Sequence, residues 1–269
     1  MSETIDRALA QWSKGVSSEV QFWRTWLATR GANWAWEYED RLNPDCRLDG
    51  RLDAALAGVD GVARVLDVGA GPLTAVGKMR RGAPIDLVAS DPLARVYEAL
   101  LAEANLAPPV RTTFALAEDL SVFFDHSSFD AVHCRNALDH SFDPMKGVLE
   151  MLRVVRPGRA VVLIHRQNEA ESENYTGFHQ YNFSMNAGRF TIWNKSETWD
   201  VAEQIPIRVQ IECETAHGMI NVRITKQEEF TDSDDRSRHR LRLRAMLTAM
   251  FDHIIDRETA GVPAQALPD

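Results

Sequence analysis

The stretch Val-Leu-Asp-Val-Gly-Ala-Gly-Pro at positions 65–72 constrains the fold of this chain more than any other feature. An apolar run stops there at Asp67 and two glycines, Gly69 and Gly71, and a second acid, Asp91, follows about twenty residues later. Glycines allow a tight turn and a close approach of the backbone to a ligand, which a Cβ would obstruct. A carboxylate at the end of the next strand can accept two hydrogen bonds from a ribose diol. The pattern predicts an α/β sheet edge that binds a nucleoside.

Apolar and amphipathic segments alternate between residues 62 and 166. Near-continuous apolar strands separated by amphipathic helices are typical of a parallel sheet that is covered on both faces. Farther on, residues 207–213 and 220–224 alternate in polarity around a turn at His217-Gly218, which predicts an antiparallel hairpin. Strands are predicted at 62–68, 85–90, 110–115, 129–134, 160–165 and 190–193, and helices at 73–80, from Asp91-Pro92 onward, at 143–155 and at 196–204.

The segment 1–60 precedes the predicted sheet domain, residues 61–230, and it is helical and rich in tryptophan. It holds five of the seven tryptophans, and Ser18 can cap a helix that runs to Gly31. Two roles are open for this segment. It is either a cap packed on the main domain or a lid that closes over bound ligands.

In the tail, residues 231–269, apolar residues along one side predict a long helix from residue 234 onward. Arg236, Arg240 and Arg244 form a basic stripe on it. A solvated or acid-paired face, capture of an anionic group and a subunit contact all remain open for this stripe. A homodimer formed through the tail helix is therefore one expectation.

Charge and cysteine content restrict the class of protein. The 39 acidic and 30 basic residues give a net charge of −9, which disfavours nucleic acid as the main partner because phosphate binding needs a basic surface. Cys46, Cys134 and Cys213 lack metal-ligand spacing, so we expect reduced thiols, no metal and a cytoplasmic location. The acidic start of the chain predicts no signal peptide, and no run approaches the roughly 18 apolar residues of a membrane span.

Two kinds of nucleotide site compete for the glycine turn. A dinucleotide fingerprint requires a third glycine where this chain has Thr74. The acid two positions before the first glycine, Asp67, favours the other kind, and here the sequence resembles the class I S-adenosylmethionine-dependent methyltransferases, specifically their small-molecule "type 11" branch. The resemblance covers about residues 60–226 and rests on VLDVGAGP, LVASDP, AEDL, SFDAVHCRNALDH and LEMLRVVRPGRAVVLIH. It implies a seven-stranded Rossmann-like α/β sheet, its parallel strands closed by an antiparallel hairpin, with helices on both faces.

The resemblance also implies a site for S-adenosylmethionine. Many relatives have a third glycine where Leu73 lies and an Asp where Leu116 lies, so the carboxylate that meets the adenine stays open between Glu118 and Asp119. The resemblance implies that Asp67, Gly69 and Gly71 line the methionine and ribose side of the cofactor and that Arg135 and Asn136 face its methionine portion. Asp91 would bind the ribose hydroxyls, and Pro92 would lie against the adenine face. Ala117, Glu118 and Asp119 would lie at the adenine edge.

Methyl transfer requires an aligned nucleophile and, for a hydroxyl or ammonium, removal of its proton. His140 follows the fourth strand with Asp139 beside it, His165 ends the fifth strand, and His179 lies in the segment between that strand and the hairpin. Each histidine is a possible base or a structural residue. Catalysis by alignment alone, without a base, is also open.

The insert at residues 168–195 is the expected acceptor side. Its polar and aromatic residues, among them Asn168, Tyr175, His179 and Tyr181, suit a hydroxylated acceptor such as a sugar or a natural-product scaffold, although a plain surface loop has a similar composition. The predicted function is methyl transfer to oxygen or nitrogen of a small polar metabolite, without nucleic acid or membrane partners. A non-catalytic S-adenosylmethionine-binding module and, less favoured, an NAD-dependent oxidoreductase are the alternatives.

Overall fold

A seven-stranded sheet forms the centre of the protein. The computed structural model describes residues 2–231 and 239–260. Its strands in those ranges are β1 (Arg64–Val68), β2 (Met79–Arg80), β3 (Ala83–Pro84), β4 (Asp86–Ser90), β5 (Thr112–Thr113), β6 (Phe129–Arg135), β7 (Val155–Arg166), β8 (Asn182–Asn186), β9 (Arg189–Trp193), β10 (Thr198–Asp200), β11 (Val209–Ala216) and β12 (Met219–Lys226). The sheet order is β11-β12-β7-β6-β1-β4-β5. The five strands from β7 to β5 are parallel, and β12 and β11 close the sheet as an antiparallel hairpin, which confirms the prediction.

Helices cover both faces of this sheet. They are α1 (Ser2–Ala28), α2 (Ala35–Leu42), α3 (Gly50–Ala55), α4 (Ala94–Glu103), α5 (Leu120–Phe123), α6 (Pro144–Val154), α7 (Glu169–Ser172), α8 (Val201–Gln204) and α9 (Arg240–Thr259), with 3-10 turns at Ala32–Trp34, Ala117–Asp119 and Leu138–His140. Val65 of β1 packs with Leu52 of α3 on one face, whereas its neighbour Leu66 packs with Val148 of α6 on the other. Burial on both faces explains why the strands are apolar throughout.

The helix predicted at 73–80 does not form, and this is the largest difference from the sequence analysis. After the glycine turn the backbone runs alongside the segment before α3: the amides of Lys78 and Met79 both donate to the carbonyl of Cys46, at 2.7 and 3.0 Å. A Cβ on Gly77 would lie 2.0 Å from the carbonyl oxygen of Arg47. The backbone groups that a helix would pair internally are thus bonded to another segment, and β2 and β3 follow as a small hairpin.

The first helix is longer than predicted. Ser18 does not cap it but lies in its middle, where its hydroxyl donates to the carbonyl of Gly15 at 2.8 Å. One buried stripe, Trp12, Val16 and Val20, continues through this point at helical spacing, so tertiary packing extends the helix past the local capping signal. Gly31 ends the segment as predicted, with φ of +87° and its amide bonded to the carbonyl of Trp26.

Three further boundaries differ from the predictions. Helix α4 begins at Ala94 because the carboxylate of Asp91 caps the amide of Leu93 instead of starting the helix itself. The third strand of the parallel sheet is only two residues long, β5. The insert contains a three-stranded antiparallel sheet, in the order β10-β9-β8, so residues 198–200 are a strand where a helix was expected. The extra strand at 190–193 is confirmed as part of β9.

Helix α9 packs on the cap and on α5. Its Phe251 makes an edge contact with Trp12 of α1, at 5.1 Å between ring centroids. Part of the basic stripe is paired: Arg240 donates to the carbonyl of Val122 and forms an ion pair with Asp125. Arg236 and residues 232–238 as a whole lie outside the described residues. Among the described helices, none has the length and apolar character needed to cross a bilayer.

Candidate active site

The carboxyl ends of β1, β4 and β6 face a cavity of about 680 Å³, which we call the main cavity. Helix α1 and the segment after it cover the cavity, with Trp23, Trp26 and Trp34 in its wall. Its volume is in the range of about 300–1,000 Å³ that small-molecule sites occupy. The predicted site residues that line it are Asp67, Gly69, Gly71, Asp91, Pro92, Ala117, Glu118, Arg135, Asn136, His140 and His179.

The glycine turn forms the floor of the main cavity. Gly69 and Gly71 have φ of +68° and +66°, a backbone region that residues with a Cβ rarely adopt. A Cβ on Gly69 would lie 2.3 Å from the Cβ of Ala137, and one on Gly71 would lie 2.7 Å from the ring of Trp23. Both glycines are therefore required by the backbone conformation and by the close approach of neighbouring side chains.

Asp67 is buried below the turn, and both of its carboxylate oxygens have partners. Thr74 donates its hydroxyl to Oδ2 at 2.5 Å, and the Nδ1 of His133 lies 2.7 Å from Oδ1. His133 is the residue opposite Asp67 in the β1–β6 register. The hydroxyl of Thr74 also accepts the amide of Val76 at 3.1 Å. Thr74, in the third-glycine position, thus holds the turn against the sheet through its hydrogen bond to Asp67. The contact of His133 with Asp67 was not predicted from the sequence.

Asp91 holds its carboxylate in the cavity wall at the end of β4. Oδ2 accepts the amide of Gly71 at 3.1 Å and Oδ1 accepts the amide of Leu93 at 2.8 Å. Burial raises the pKa of this carboxyl to about 7; the two backbone hydrogen bonds and His140 oppose the rise, and the charge of Glu19 on α1 adds to it. Each oxygen keeps a second lone pair, so the carboxylate can still accept two hydroxyl groups.

The 3-10 turn that contains Ala117 and Glu118 forms another part of the cavity wall. Leu93, Leu116 and Phe142 add apolar surface to the cavity there. Glu118 lines the cavity, but its Oε1 accepts the amides of Phe142 and Asp143 at 2.9 and 3.3 Å. Burial raises the pKa of this carboxyl to about 8. Asp119 does not line the cavity, so of the two acids left open by the sequence, the structure places Glu118 at this edge.

An ion-pair chain ties the cap to the glycine turn. Arg41 of α2 donates to the carbonyl of Leu73 at 2.7 Å and to Glu37 at 3.1 Å. Its guanidinium lies 5.6 and 5.4 Å from the ring centroids of Trp23 and Trp26. The other oxygen of Glu37 accepts Arg135 at 2.7 Å. Sequence reasoning missed Glu37 and Arg41, because nothing local to α2 shows that it faces the turn.

Asp139, His140 and His179 form a cluster, and the two histidines line the main cavity. The Nδ1 of His179 is 2.9 Å from Oδ2 of Asp139, and the Nε2 of His140 is 3.2 Å from that Nδ1 and 3.4 Å from that Oδ2. Asp139 is 1% exposed. Burial alone would raise the pKa of Asp139, but His140 and the hydrogen bond from His179 outweigh it and hold the pKa below its usual value.

His165 has a different environment from the other two histidines. It is 1% exposed, stacks on Phe183 at 4.3 Å between centroids, and does not line the main cavity. Burial lowers its pKa to about 4. Neither of its ring nitrogens has a hydrogen-bond partner within the described part of the chain. This position favours a structural role among the two that the sequence left open.

The insert contributes a second cavity of about 760 Å³, which we call the side cavity. Tyr175 and Tyr181 line it, and Lys195 lies 4.2 Å above the ring of Tyr175. Asn168, also predicted to contact the acceptor, lines neither cavity. The two cavities meet at residues common to both walls, which are Trp12, His140, Ser141, Phe142 and Phe178.

Comparisons with known proteins agree with this geometry. Residues 66–163 match the family model described as "Methyltransferase domain". A ubiquinone biosynthesis O-methyltransferase of Alkalilimnicola ehrlichii is 37% identical over 126 residues, 45% of this chain and 47% of that protein. A ubiquinone/menaquinone biosynthesis C-methyltransferase of Idiomarina loihiensis is 28% identical over 181 residues, 65% of this chain and 70% of that protein. The chain therefore spans about half the length of the first relative and more of the second.

A solved structure supports the fold. A putative S-adenosyl-L-methionine-dependent methyltransferase from Methanococcus maripaludis superposes with a TM-score of 0.50 over 80% of this chain and 95% of that one, at 12% identity. At that identity the likeness concerns the fold alone. The domain match and the order of the seven strands together show a Rossmann-like methyltransferase fold, with residues 66–163 similar to a methyltransferase domain.

Proposed function

We propose that the protein transfers the methyl group of S-adenosylmethionine to an oxygen or nitrogen atom of a small polar metabolite, such as a sugar or a natural-product scaffold. One observation carries the proposal. The nucleoside-type site around Gly69 and Asp91 and the polar pair His140 and His179 line the same cavity. Donor and acceptor can therefore meet without leaving the enclosed space, as an in-line displacement requires.

The residues of the main cavity fit S-adenosylmethionine. Asp91 has free lone pairs for the ribose diol, and Pro92 and Leu116 offer apolar surface to an adenine. Arg135 and Asn136 lie on the remaining side, where the methionine portion would be held. When bound, the cofactor supplies a methyl group made electrophilic by a sulfonium. The protein supplies position and exclusion of water.

The acceptor is proposed to lie at the junction of the two cavities, where His140 is part of both walls. His140 and His179 are then the groups that withdraw the proton of the acceptor, with Asp139 orienting His179 through the 2.9 Å hydrogen bond. The cap, fixed by Arg41, closes the main cavity above this point. Loss of bulk water strengthens the electrostatic interactions inside.

The polar character of the acceptor is supported by what surrounds that junction. Arg166, Glu169 and Glu173 line the main cavity near His179, and Gln180 and Lys195 line the side cavity. These groups suit a hydroxylated molecule better than an apolar one. Transfer to oxygen is further supported by the 37% identical relative, which is an O-methyltransferase.

The test is turnover with a labelled methyl donor. The purified protein is incubated with methyl-labelled S-adenosylmethionine and hydroxylated or amino acceptors, or with a metabolite extract, and labelled products are identified by mass spectrometry. We expect a labelled polar product and a rate loss of about 10²-fold or more in His140→Ala and His179→Ala, in line with general-base contributions. The matched control His253→Ala removes an exposed histidine of α9 and should keep the rate.

Each other outcome has a defined meaning. Donor binding without transfer to any acceptor would favour the non-catalytic binding module. Binding of NAD in place of S-adenosylmethionine would favour the oxidoreductase. Thr74 disfavours that alternative, because it stands where a dinucleotide site needs a third glycine and its hydroxyl bonds Asp67. Full rates in both histidine variants at saturating donor would leave alignment alone as the mechanism.

A further inference from the structure

We propose that Asp139, His140 and His179 form a binding site for one divalent transition-metal ion at the acceptor end of the main cavity. The spacing of cysteines predicted no metal, but that prediction considered residues close in sequence. Here the fold brings His179 of the insert against the 3-10 turn Leu138–His140, so the site is assembled from two segments about 40 residues apart.

The donor atoms have the separations that a metal ion imposes on its ligands. Asp139 Oδ2, His140 Nε2 and His179 Nδ1 form a triangle with sides of 2.9, 3.2 and 3.4 Å. Zinc binds imidazole nitrogen and carboxylate oxygen at about 2.0–2.2 Å, which separates neighbouring ligand atoms by about 2.8–3.1 Å at right angles and by about 3.3–3.6 Å at tetrahedral angles. A point about 1 Å above the plane of the three atoms is about 2.1 Å from each, so the triangle has room for an ion at bonding distance from all three atoms.

Hydrogen bonds alone do not account for the triangle. A ring nitrogen carries either one hydrogen or one lone pair, so Nδ1 of His179 satisfies only one of its two close contacts. If both rings donate to Oδ2 of Asp139, two N–H groups converge on one oxygen. The other oxygen, Oδ1, is buried and has no hydrogen-bond partner among the described residues. A cation in the triangle would bind both ring nitrogens and Oδ2 at the same time.

The surroundings hold the three ligands in place and leave one side of the site open. The amide of Gln180 donates to the carbonyl of Asp139 at 3.4 Å, which fixes the insert segment against the turn. The other ring nitrogen of His140, Nδ1, lies 3.9 Å from the carboxylate of Glu19, so a negative charge lies close to that ligand. His140 and His179 line the main cavity, so a fourth position faces the acceptor.

The donor set indicates the class of ion. Two imidazoles with one carboxylate suit zinc, iron, cobalt, nickel or manganese, whereas magnesium and calcium favour oxygen ligands. Binding of the ion depends only on these side chains. Its role, to lower the pKa of an acceptor hydroxyl beside it, rests on the proposed methyl transfer. The ion would then replace His140 and His179 as the group that activates the acceptor, because an imidazole nitrogen that coordinates an ion cannot also take up a proton.

The experiment measures binding without donor or acceptor. The full chain is stripped with a chelator and dialysed, and then titrated with Zn²⁺ by calorimetry and with Co²⁺ by visible absorption. We expect one ion per chain, with intense Co²⁺ bands from a four- or five-coordinate site. His140→Ala and His179→Ala should each weaken the affinity at least about 100-fold, and His253→Ala should keep it. Circular dichroism and retained S-adenosylmethionine binding verify the fold of each variant. The test uses only the two histidine variants, because Asp139 is buried and its substitution could disturb the fold.

The outcomes separate the two proposals. No stoichiometric binding of either ion, or unchanged affinity in both cluster variants, overturns the metal site and leaves the proposed methyl transfer intact. Binding that the variants abolish supports the site even if no acceptor is ever methylated. If the ion also serves the reaction, the chelated protein loses turnover and regains it with Zn²⁺ or Co²⁺ while its affinity for the donor stays the same.

Discussion

Thr74 in the glycine turn gives the most direct test of how the floor of the cavity is held. Thr74→Val keeps the volume of the side chain but removes the hydroxyl that donates to Asp67 at 2.5 Å and accepts the amide of Val76 at 3.1 Å. A hydrogen bond to a charged group contributes about 1.5–3 kcal/mol, and a buried amide left without a partner costs about 1–3 kcal/mol. Since the added methyl group returns less than about 1 kcal/mol, we expect a net loss of about 3 kcal/mol.

The assay is equilibrium unfolding in urea, with a thermal melt beside it. A loss of about 3 kcal/mol corresponds to a melting temperature lower by about 6–12 °C for a chain of this size. Thr113→Val is the matched control, because the Thr113 hydroxyl donates to a neutral carbonyl, that of Ala89, at the exposed edge strand β5. It should change the stability by less than about 1 kcal/mol. Equal effects of the two substitutions would refute the argument that Thr74 and Asp67 lock the turn.

Two other predictions concern the same turn and the acid beyond it. Gly69→Ala should abolish donor binding and lower the melting temperature, because φ is +68° and its Cβ would meet that of Ala137 at 2.3 Å. Gly188→Ala carries the same backbone strain, with φ of +81°, but has open space around it and should leave binding unchanged in calorimetry. Donor affinity should depend on pH through Asp91: its pKa rises from 3.8 to about 7 in the folded protein, and the carboxylate must be ionised to accept the ribose diol. The affinity is then full above pH 7 and falls about tenfold per unit below it, and a flat profile, or one that Asp91→Asn does not flatten, would contradict this role.

The central strands could be predicted because most of them carry their own signal, whereas the seven-stranded arrangement came from the resemblance. Apolar runs bounded by glycine or acid mark the central strands, and alternation marks the hairpin. The meeting of Gly69, Gly71 and Asp91 at one cavity could be predicted from their places at strand ends, where the fold brings parallel strands to one edge.

The predictions were wrong where a partner distant in sequence outweighs the local preference of a segment. The segment 73–80 has no proline after position 72 and looks helical by itself, yet its amides bond to Cys46, some thirty residues earlier. Ser18 has the sequence of a helix start, yet the buried stripe from Trp12 onward continues the helix through it. A signal of a few residues cannot show that such a long-range partner exists.

The residues that sequence analysis missed share this property. Arg41 contacts the turn through Leu73 and through two tryptophans of another helix. His133 faces Asp67 only because β1 and β6 are neighbours in that register, and a polar residue inside an apolar strand was the one available sign. Asp139 and His179 were both named from the sequence, but their contact was not, because only the fold of the insert brings them together.

Calorimetric titration with S-adenosylmethionine tests the central claim, that the turn and Asp91 bind this nucleoside. We expect one site per chain with a dissociation constant in the micromolar range, and weaker binding by about 100-fold in Asp91→Ala, since two hydrogen bonds to a carboxylate contribute about 3 kcal/mol together. No heat with S-adenosylmethionine, together with saturable binding of NAD, would contradict the account.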